Sequence, residues 1–141
     1  MQIVDKALIY PVISMIGLVF IVWIGVYFTR IRAFVRGEVT MDSFARHEQQ
    51  SGLPQYVILL GENFTNQFEL PVLFYLLVVL IYLSNLNIDP YVGLAWGFVL
   101  FRVAHTLVHT TYNIVLHRLL TYWIGAIFLW VMWAMYIAEF I

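Results

Sequence analysis

Five ionisable side chains lie within segments that are otherwise apolar, and they are the residues with which this protein could do chemistry. They are Glu62, Glu69, Arg102, His105 and His109. An ionisable group at bilayer depth is costly unless it is paired or faces water, so such residues mark either a site or a buried pair. The chain has no cysteine, which excludes disulfides, cysteine nucleophiles and thiolate metal sites.

These residues belong to two polar groups with helical spacing. The first group consists of Gln55, Glu62, Asn66 and Glu69. The second group consists of Arg102, His105, His109 and Asn113. Residues three, four or seven apart share one face of a helix, so we predict one polar stripe on each of two neighbouring helices.

The elements that carry the two stripes are predicted to span a membrane. The chain of 141 residues is 63% hydrophobic and only 11% charged, too apolar for a water-soluble domain. A spanning helix needs about 20 mostly apolar residues. We therefore predict an all-α integral membrane protein, a single up-down four-helix bundle over 1–141, with helices at about 7–29, 54–84, 91–112 and 118–140. Pro71 is expected to kink the second helix.

The charge distribution predicts an orientation. The net charge of -1 gives no attraction for nucleic acid. Basic residues are concentrated on one side, in the first loop and before the fourth helix: Arg30, Arg32, Arg36, Arg46 and Arg118, against Lys6 alone on the other side. Because basic loops stay in the cytoplasm, both termini are predicted on the non-cytoplasmic side of a bacterial inner membrane or an endomembrane.

The depth of each polar residue follows from counting along the helices from the turn between the second and third helix. At 1.5 Å per residue, Glu69 lies ~22 Å, Arg102 ~17 Å and His105 ~21 Å from that turn. We predict a buried salt bridge between Glu69 and Arg102, with His105 at the same level. The same count pairs Asn66 with His109, and Glu62 with Asn113.

Two interpretations of these residues stay open at this point. In the first, the polar residues only hold helices together. In the second, those nearest the arginine-rich side bind a small anionic polar ligand: Glu62, Asn66, His109, Asn113 and Arg118, with Arg30 and Arg32. His105 and His109 could bind a metal with Glu69, but no glutamate adjoins the first histidine as in zinc proteases, and no metal site is predicted.

Two motifs carry a resemblance to a known family. The segment Asn66-Gln67-Phe68-Glu69-Leu70-Pro71 resembles the second-helix signature of the MAPEG family, the membrane-associated proteins in eicosanoid and glutathione metabolism. Arg102-Val103-Ala104-His105-Thr106 is similar to the R-x-x-H-T element of the microsomal glutathione transferases, and 113–118 resembles the stretch before their fourth helix. The resemblance covers nearly the whole chain, which is interpreted as a bacterial-type member.

The resemblance implies a function and a site. It implies a homotrimer that binds glutathione near the cytoplasmic mouth and acts as a glutathione S-transferase or peroxidase on lipophilic substrates from the bilayer. The implied ligand contacts are Asn66, Glu69, Arg30 or Arg32, and Tyr112. Arg118 is implied to be the catalytic residue that stabilises the glutathione thiolate, since a nearby cation lowers the pKa of a thiol.

One position departs from the family pattern. The glutathione-using members carry an arginine four residues before the asparagine of the second-helix motif, and Glu62 stands there. A carboxylate at this position removes a cationic partner for glutathione. The alternative function is therefore a non-catalytic trimeric membrane protein that binds a lipid or a partner protein, in which Glu69, Arg102 and His105 are structural.

Overall fold

The computed structural model describes residues 6–40 and 52–141, so Arg46 of the orientation argument lies outside the described residues. Within the described ranges there is no strand, and the helices are α1 (Ile9–Val35), α2 (Gln55–Asn66), α3 (Leu70–Leu83), α4 (Asp89–Thr110) and α5 (Val115–Ala138). Together α2 and α3 form one of four segments that are long and apolar enough to cross a membrane. The prediction of an all-α integral membrane protein is confirmed.

The first helix continues well past its predicted end at residue 29, to Val35. The predicted helix end was placed where the apolar run stops, but the helix ends only near a glycine that allows the backbone to turn. Gly37 has a φ of 70°. Its N–H bonds the carbonyl of Phe34 at 3.0 Å, and the N–H of Glu38 bonds that of Ala33 at 3.0 Å. This paired bonding is the Schellman arrangement, in which glycine takes the left-handed position.

The helix predicted over 54–84 is not continuous. Its first part, α2, ends at Asn66, and α3 begins after an interruption at 67–69, with Pro71 in its first turn. Proline has no backbone N–H with which to bond the carbonyl of Gln67, but in the first turn of a helix that N–H would be unpaired anyway. The expected kink in one helix is therefore absent: α2 ends before Pro71, and α3 begins there as a separate helix.

The apolar core lies where α1, α3, α4 and α5 meet. The rings of Phe74 and Phe98 are fully buried there, with centroids 4.9 Å apart. Gly97 allows α4 and α5 to approach closely, because a Cβ at this position would lie 2.6 Å from the ring of Phe128. Small residues at such contacts let membrane helices gain packing energy without a hydrophobic driving force.

Candidate functional site

A polar cleft of about 600 Å³ opens between α2, α4 and α5, next to the interruption before α3. Its lining residues are Glu62, Thr65, Asn66, Glu69, His105, His109, Val115, Arg118, Leu119 and Tyr122. The structure thus brings together five side chains that the sequence suggested for ligand binding or catalysis: Glu62, Asn66, Glu69, His109 and Arg118. Three helices, α2, α4 and α5, and the interruption after α2 contribute to this one cleft.

His109 lies at the centre of one wall. Its Nε2 atom is 3.5 Å from the Glu62 carboxylate and 3.3 Å from Nη1 of Arg118. The imidazole is buried, whereas the Glu62 side chain is 43% exposed. A carboxylate and a guanidinium therefore flank one buried histidine at the surface of the cleft.

The link between α4 and α5 positions Arg118. Asn113 in this link has a φ of 48°, a left-handed conformation that asparagine adopts more readily than most residues. Its N–H bonds the carbonyl of Val108 at 2.8 Å, and its side-chain oxygen accepts a hydrogen bond from Nη1 of Arg118 at 3.1 Å. Asn113 therefore positions the Arg118 side chain by a hydrogen bond, and it is not among the residues that line the cleft. The predicted pairing of Asn113 with Glu62 is wrong.

Arg102 is fully buried and bonds to the interrupted helix. Its Nη2 donates to the backbone carbonyl of Asn66 at 2.8 Å and to the side-chain oxygen of Gln67 at 3.4 Å. A carbonyl at a helix end lacks its usual intrahelical partner, and the guanidinium supplies one. No ion pair joins Glu69 to Arg102 in the described chain, so that predicted salt bridge is wrong. Glu69 instead accepts a hydrogen bond from the Tyr122 hydroxyl at 3.3 Å.

Three further polar residues connect Arg102 to His109. The amide nitrogen of Gln67 donates to the side-chain oxygen of Asn63 and to the hydroxyl of Thr106, both at 3.1 Å. The amide nitrogen of Asn63 lies 3.3 Å from Nδ1 of His109. We name Asn63, Gln67, Arg102 and Thr106 the buried network, because all four are at most 7% exposed.

The hydrogen-bonding pattern assigns the proton of His105. In His109, Nδ1 faces the amide nitrogen of Asn63, whose oxygen accepts from Gln67, and Nε2 faces both the Glu62 carboxylate, an acceptor, and Nη1 of Arg118, a donor. His105 donates from Nδ1 to the backbone carbonyl of Arg118 at 3.1 Å, because a carbonyl can only accept. Nε2 of His105 is then an acceptor, and it has no partner among the described residues.

The amino-acid sequence matches one known protein family. The chain matches the model of the MAPEG family over residues 8–138, nearly its whole length. The chain belongs to the MAPEG family. Comparisons with curated proteins and with solved structures give no match. The predicted family is therefore confirmed, and the chemistry of this MAPEG protein is argued from its own cleft.

The polar stripe predicted on the second helix has the wrong rotation in this MAPEG protein. Asn63 and Gln67, four residues apart, face α4 and bond to it, and of the predicted stripe Glu62 also contacts α4, at His109. Glu62, Asn66 and Glu69 line the cleft. The predicted pairing of Asn66 with His109 is therefore wrong as well. The signal was available, since Asn63 and Gln67 also have the spacing of a helix face.

Tyr122 is a cleft residue that the sequence analysis did not include. Its hydroxyl bonds Glu69, its ring lies edge-on to His105 with centroids 5.6 Å apart, and the Arg102 guanidinium lies 5.9 Å from the ring centre. It follows Arg118 by four residues on α5, so both share one face of that helix. The four-residue spacing from Arg118 would have predicted Tyr122 as a cleft residue.

Three predicted contact residues lie outside this cleft, in addition to Asn113. Arg30 and Arg32 are in the last turns of α1, and the Arg32 guanidinium lies 6.0 Å from the centre of the Tyr56 ring. Tyr112 lies in the link after α4, with its hydroxyl 3.3 Å from Nδ1 of His117. None of the three lines the cleft that this chain forms by itself.

His105 and His109 lie close together on α4. The rings of His105 and His109 lie edge-on with centroids 5.6 Å apart. Among the residues that the structure describes, no three histidine, aspartate or glutamate side chains are close enough to share a metal ion. The contacts of these imidazoles are with Arg118, Asn63 and Glu62.

Proposed function

We propose that this MAPEG protein is a membrane enzyme of the glutathione transferase or peroxidase type, which uses a small thiol to act on lipophilic electrophiles from the bilayer. The observation that carries the proposal is the position of Arg118 on the cleft wall, held by Asn113 at 3.1 Å and adjacent to His109 at 3.3 Å. A cation fixed beside a sulfur atom favours the thiolate, which is the reactive form.

The residues of the cleft have separate roles in this reaction. Arg118 holds the negative charge of the thiolate after the thiol proton has gone to water. The thiolate sulfur then attacks the electrophilic carbon, so that a C–S bond forms while the bond to a leaving group such as a halide breaks. Glu62, Asn66 and Glu69 contact the polar part of the thiol. Val115 and Leu119 supply apolar surface for the second substrate.

Glutathione, the thiol of the family, fits the cleft only in part. Its thiolate suits Arg118, but its two carboxylates need cations, and the lining residues include Glu62 and Glu69 with Arg118 as the one arginine. This mismatch favours the second candidate, a non-catalytic trimer that binds a lipid or a partner protein. A test of thiol binding and turnover separates the two candidates.

The proposal includes a homotrimer with both termini on the non-cytoplasmic side. Glu62, 43% exposed in the single chain, would be costly against lipid, so cover by a neighbouring subunit is expected. Crosslinking of the purified protein would show a trimer, and a monomer in native-like lipid would contradict this part of the proposal.

The decisive experiment measures thiolate formation and conjugation together. Purified protein is titrated with glutathione while the ultraviolet absorbance of the thiolate is recorded, and conjugation to an aryl halide is assayed. We expect both signals in the wild type and neither in Arg118→Ala. The matched control is Arg36→Ala, because Arg36 lies outside the cleft and pairs with Glu38 at 3.7 Å.

Each result bears on a different part of the proposal. A wild-type protein with neither thiolate absorbance nor conjugation, with glutathione or any other small thiol, would overturn the enzyme and favour the non-catalytic trimer. If Arg118→Ala conjugates at the wild-type rate, the proposed role of Arg118 is wrong, although the proposed enzymatic activity is still supported.

A further inference from the structure

We propose that the cleft selects its thiol through an ammonium group, with Glu62 as the receptor, so that the preferred thiol is a short aminothiol and not a tripeptide with two carboxylates. The inference rests on the proposed function, because it concerns the thiol used at the same site. It names the class of that thiol from the charges, hydrogen-bonding groups and distances of the cleft.

The charge of the cleft opposes an acidic ligand. Its lining residues include two carboxylates, Glu62 and Glu69, against the single guanidinium of Arg118. The Arg102 guanidinium, 5.9 Å from the centre of the Tyr122 ring, is fully buried behind the lining and cannot contact a ligand. Glutathione as a thiolate carries two carboxylates and one ammonium, and is itself a dianion. Cysteamine as a thiolate carries one ammonium and is neutral overall. Like charges repel, and most strongly in a cleft with low-dielectric walls, so the cleft favours the aminothiol.

The hydrogen-bonding groups of the cleft point to the same class. Glu62 and Glu69 offer carboxylate oxygens, and Nε2 of His105 is a buried acceptor with no partner among the described residues. An ammonium group has three donors and no acceptor, which is the complement of such a wall. A ligand carboxylate would place acceptors against acceptors, with Arg118 as its only strong donor.

Glu62 is held in place although its side chain is 43% exposed. Nε2 of His109 lies 3.5 Å from its carboxylate, and His109 is itself oriented by Asn63, at 3.3 Å from Nδ1. A carboxylate oriented by a buried side chain loses less conformational entropy when it binds a cation. The buried network thus reaches Glu62, the proposed receptor of the ammonium group, through His109.

The distance between the two charges fits a short aminothiol. The Glu62 carboxylate and the Arg118 guanidinium lie 3.5 and 3.3 Å from the same atom, Nε2 of His109, so they are less than about 7 Å apart. In cysteamine and cysteine only two carbon atoms separate the sulfur from the ammonium nitrogen. Such a ligand can place its thiolate at Arg118 and its ammonium at Glu62 simultaneously. In glutathione the ammonium lies beyond an additional γ-linked residue.

The test compares thiols that differ in one group. Wild-type protein in nanodiscs of uncharged lipid is titrated with cysteamine, 2-mercaptoethanol, cysteine and glutathione. Cysteamine and 2-mercaptoethanol differ in the ammonium alone. We expect cysteamine to bind about tenfold tighter than 2-mercaptoethanol, as a charge-assisted hydrogen bond at a partly exposed site gives. Cysteamine should also bind more tightly than glutathione.

Two variants assign the selectivity to Glu62. In Glu62→Gln the tenfold difference between cysteamine and 2-mercaptoethanol should disappear, and Glu62→Arg should shift the preference to glutathione. The control is Glu38→Gln, since Glu38 lies outside the cleft and accepts a hydrogen bond from Tyr56 at 2.6 Å. Circular dichroism checks that each variant is folded, and the comparison of thiols on the wild type needs no variant.

The outcomes separate this inference from the proposed function. Tighter binding of glutathione than of cysteamine by the wild type would overturn the inference and leave the enzyme standing. Equal affinity for cysteamine and 2-mercaptoethanol, or a difference that survives in Glu62→Gln, would also overturn it. If the selectivity follows Glu62 but no thiol is conjugated, the inference is supported for binding and the enzyme fails.

Discussion

The buried network and the cleft are neighbouring polar regions that use their hydrogen-bonding groups in opposite ways. In the buried network, side chains from α2 and α4 bond to one another and to the carbonyl of Asn66, although Nε and Nη1 of Arg102 have no partner among the described residues. In the cleft, the Glu62 side chain is 43% exposed. Polar groups that bond to protein stabilise a membrane bundle, whereas exposed polar groups that line a cleft are available to a ligand.

The two regions meet at His109, which belongs to the cleft and is oriented by the network. One of its nitrogens faces Asn63 and the other faces both Glu62 and Arg118. Substitutions in the buried network should therefore change mainly stability, and substitutions in the cleft should change mainly binding and turnover.

Replacement of Arg102 by methionine should have the largest effect. The Asn66 carbonyl at the helix interruption and the Gln67 side chain lose their donor together, and an unsatisfied buried polar group costs about 1–3 kcal/mol. We expect the free energy of unfolding to fall by about 3 kcal/mol, measured by circular dichroism during denaturation in detergent. Arg36→Met is the control, and equal stability of Arg102→Met and wild type would contradict a structural role for Arg102.

Replacement of Arg118 by lysine should reverse this pattern. Lysine keeps the positive charge but cannot present the planar guanidinium that bonds Asn113 while it faces the cleft. We expect conjugation to fall by about tenfold to a hundredfold, with a change in unfolding free energy below about 0.5 kcal/mol. Steady-state kinetics and thermal denaturation of the same preparation give both numbers. A large loss of stability with normal kinetics would place Arg118 with the structural residues.

The comparison also shows which parts of the molecule were predictable. The four spans follow from the lengths of the apolar runs, and the polar positions on α2 and α4 follow from helical spacing. The rotation of α2 did not follow, because two sets of polar residues on it both have helical spacing. Asn63 and Gln67 form one set, and Glu62, Asn66 and Glu69 form the other. Only the position of α4 decides which set is buried.

The depth count failed for a related reason. It assumed one continuous helix, but residues 67–69 leave the helical path before Pro71. At the interruption, Glu69 accepts a hydrogen bond from Tyr122, and the backbone carbonyl of Asn66 accepts one from Arg102. Proline in the sequence indicated where the second helix would change, but whether it bends or stops depends on a donor from another helix.

Replacement of Asn63 by leucine tests whether the two regions are coupled. Leucine fills similar space but cannot donate to Nδ1 of His109, which is buried 3.3 Å away. We expect about 1 kcal/mol of lost stability and a severalfold lower affinity for cysteamine, because His109 no longer holds Glu62 in one orientation. Denaturation and titration measure the two effects. Lost stability with unchanged affinity would show that the network supports the fold without orienting the cleft.

Replacement of Tyr122 by phenylalanine should have the smallest effect and gives the finest test of the division. The variant loses the hydroxyl that donates to Glu69 at 3.3 Å, but it keeps the ring that packs against His105 and the Arg102 guanidinium. Glu69 borders an open cleft, so water can replace the hydroxyl, and stability should change by less than about 1 kcal/mol.

Thiol binding should respond more than stability does in Tyr122→Phe. Without the hydroxyl, Glu69 is free to turn away from the ligand, and we expect a twofold to threefold loss of affinity for cysteamine, or about 0.5 kcal/mol. Tyr112→Phe is the matched control, since that hydroxyl contacts His117 outside the cleft. If Tyr122→Phe lowers stability and leaves affinity unchanged, Glu69 and Tyr122 act as a structural pair, and the boundary of the buried network must be extended to include them.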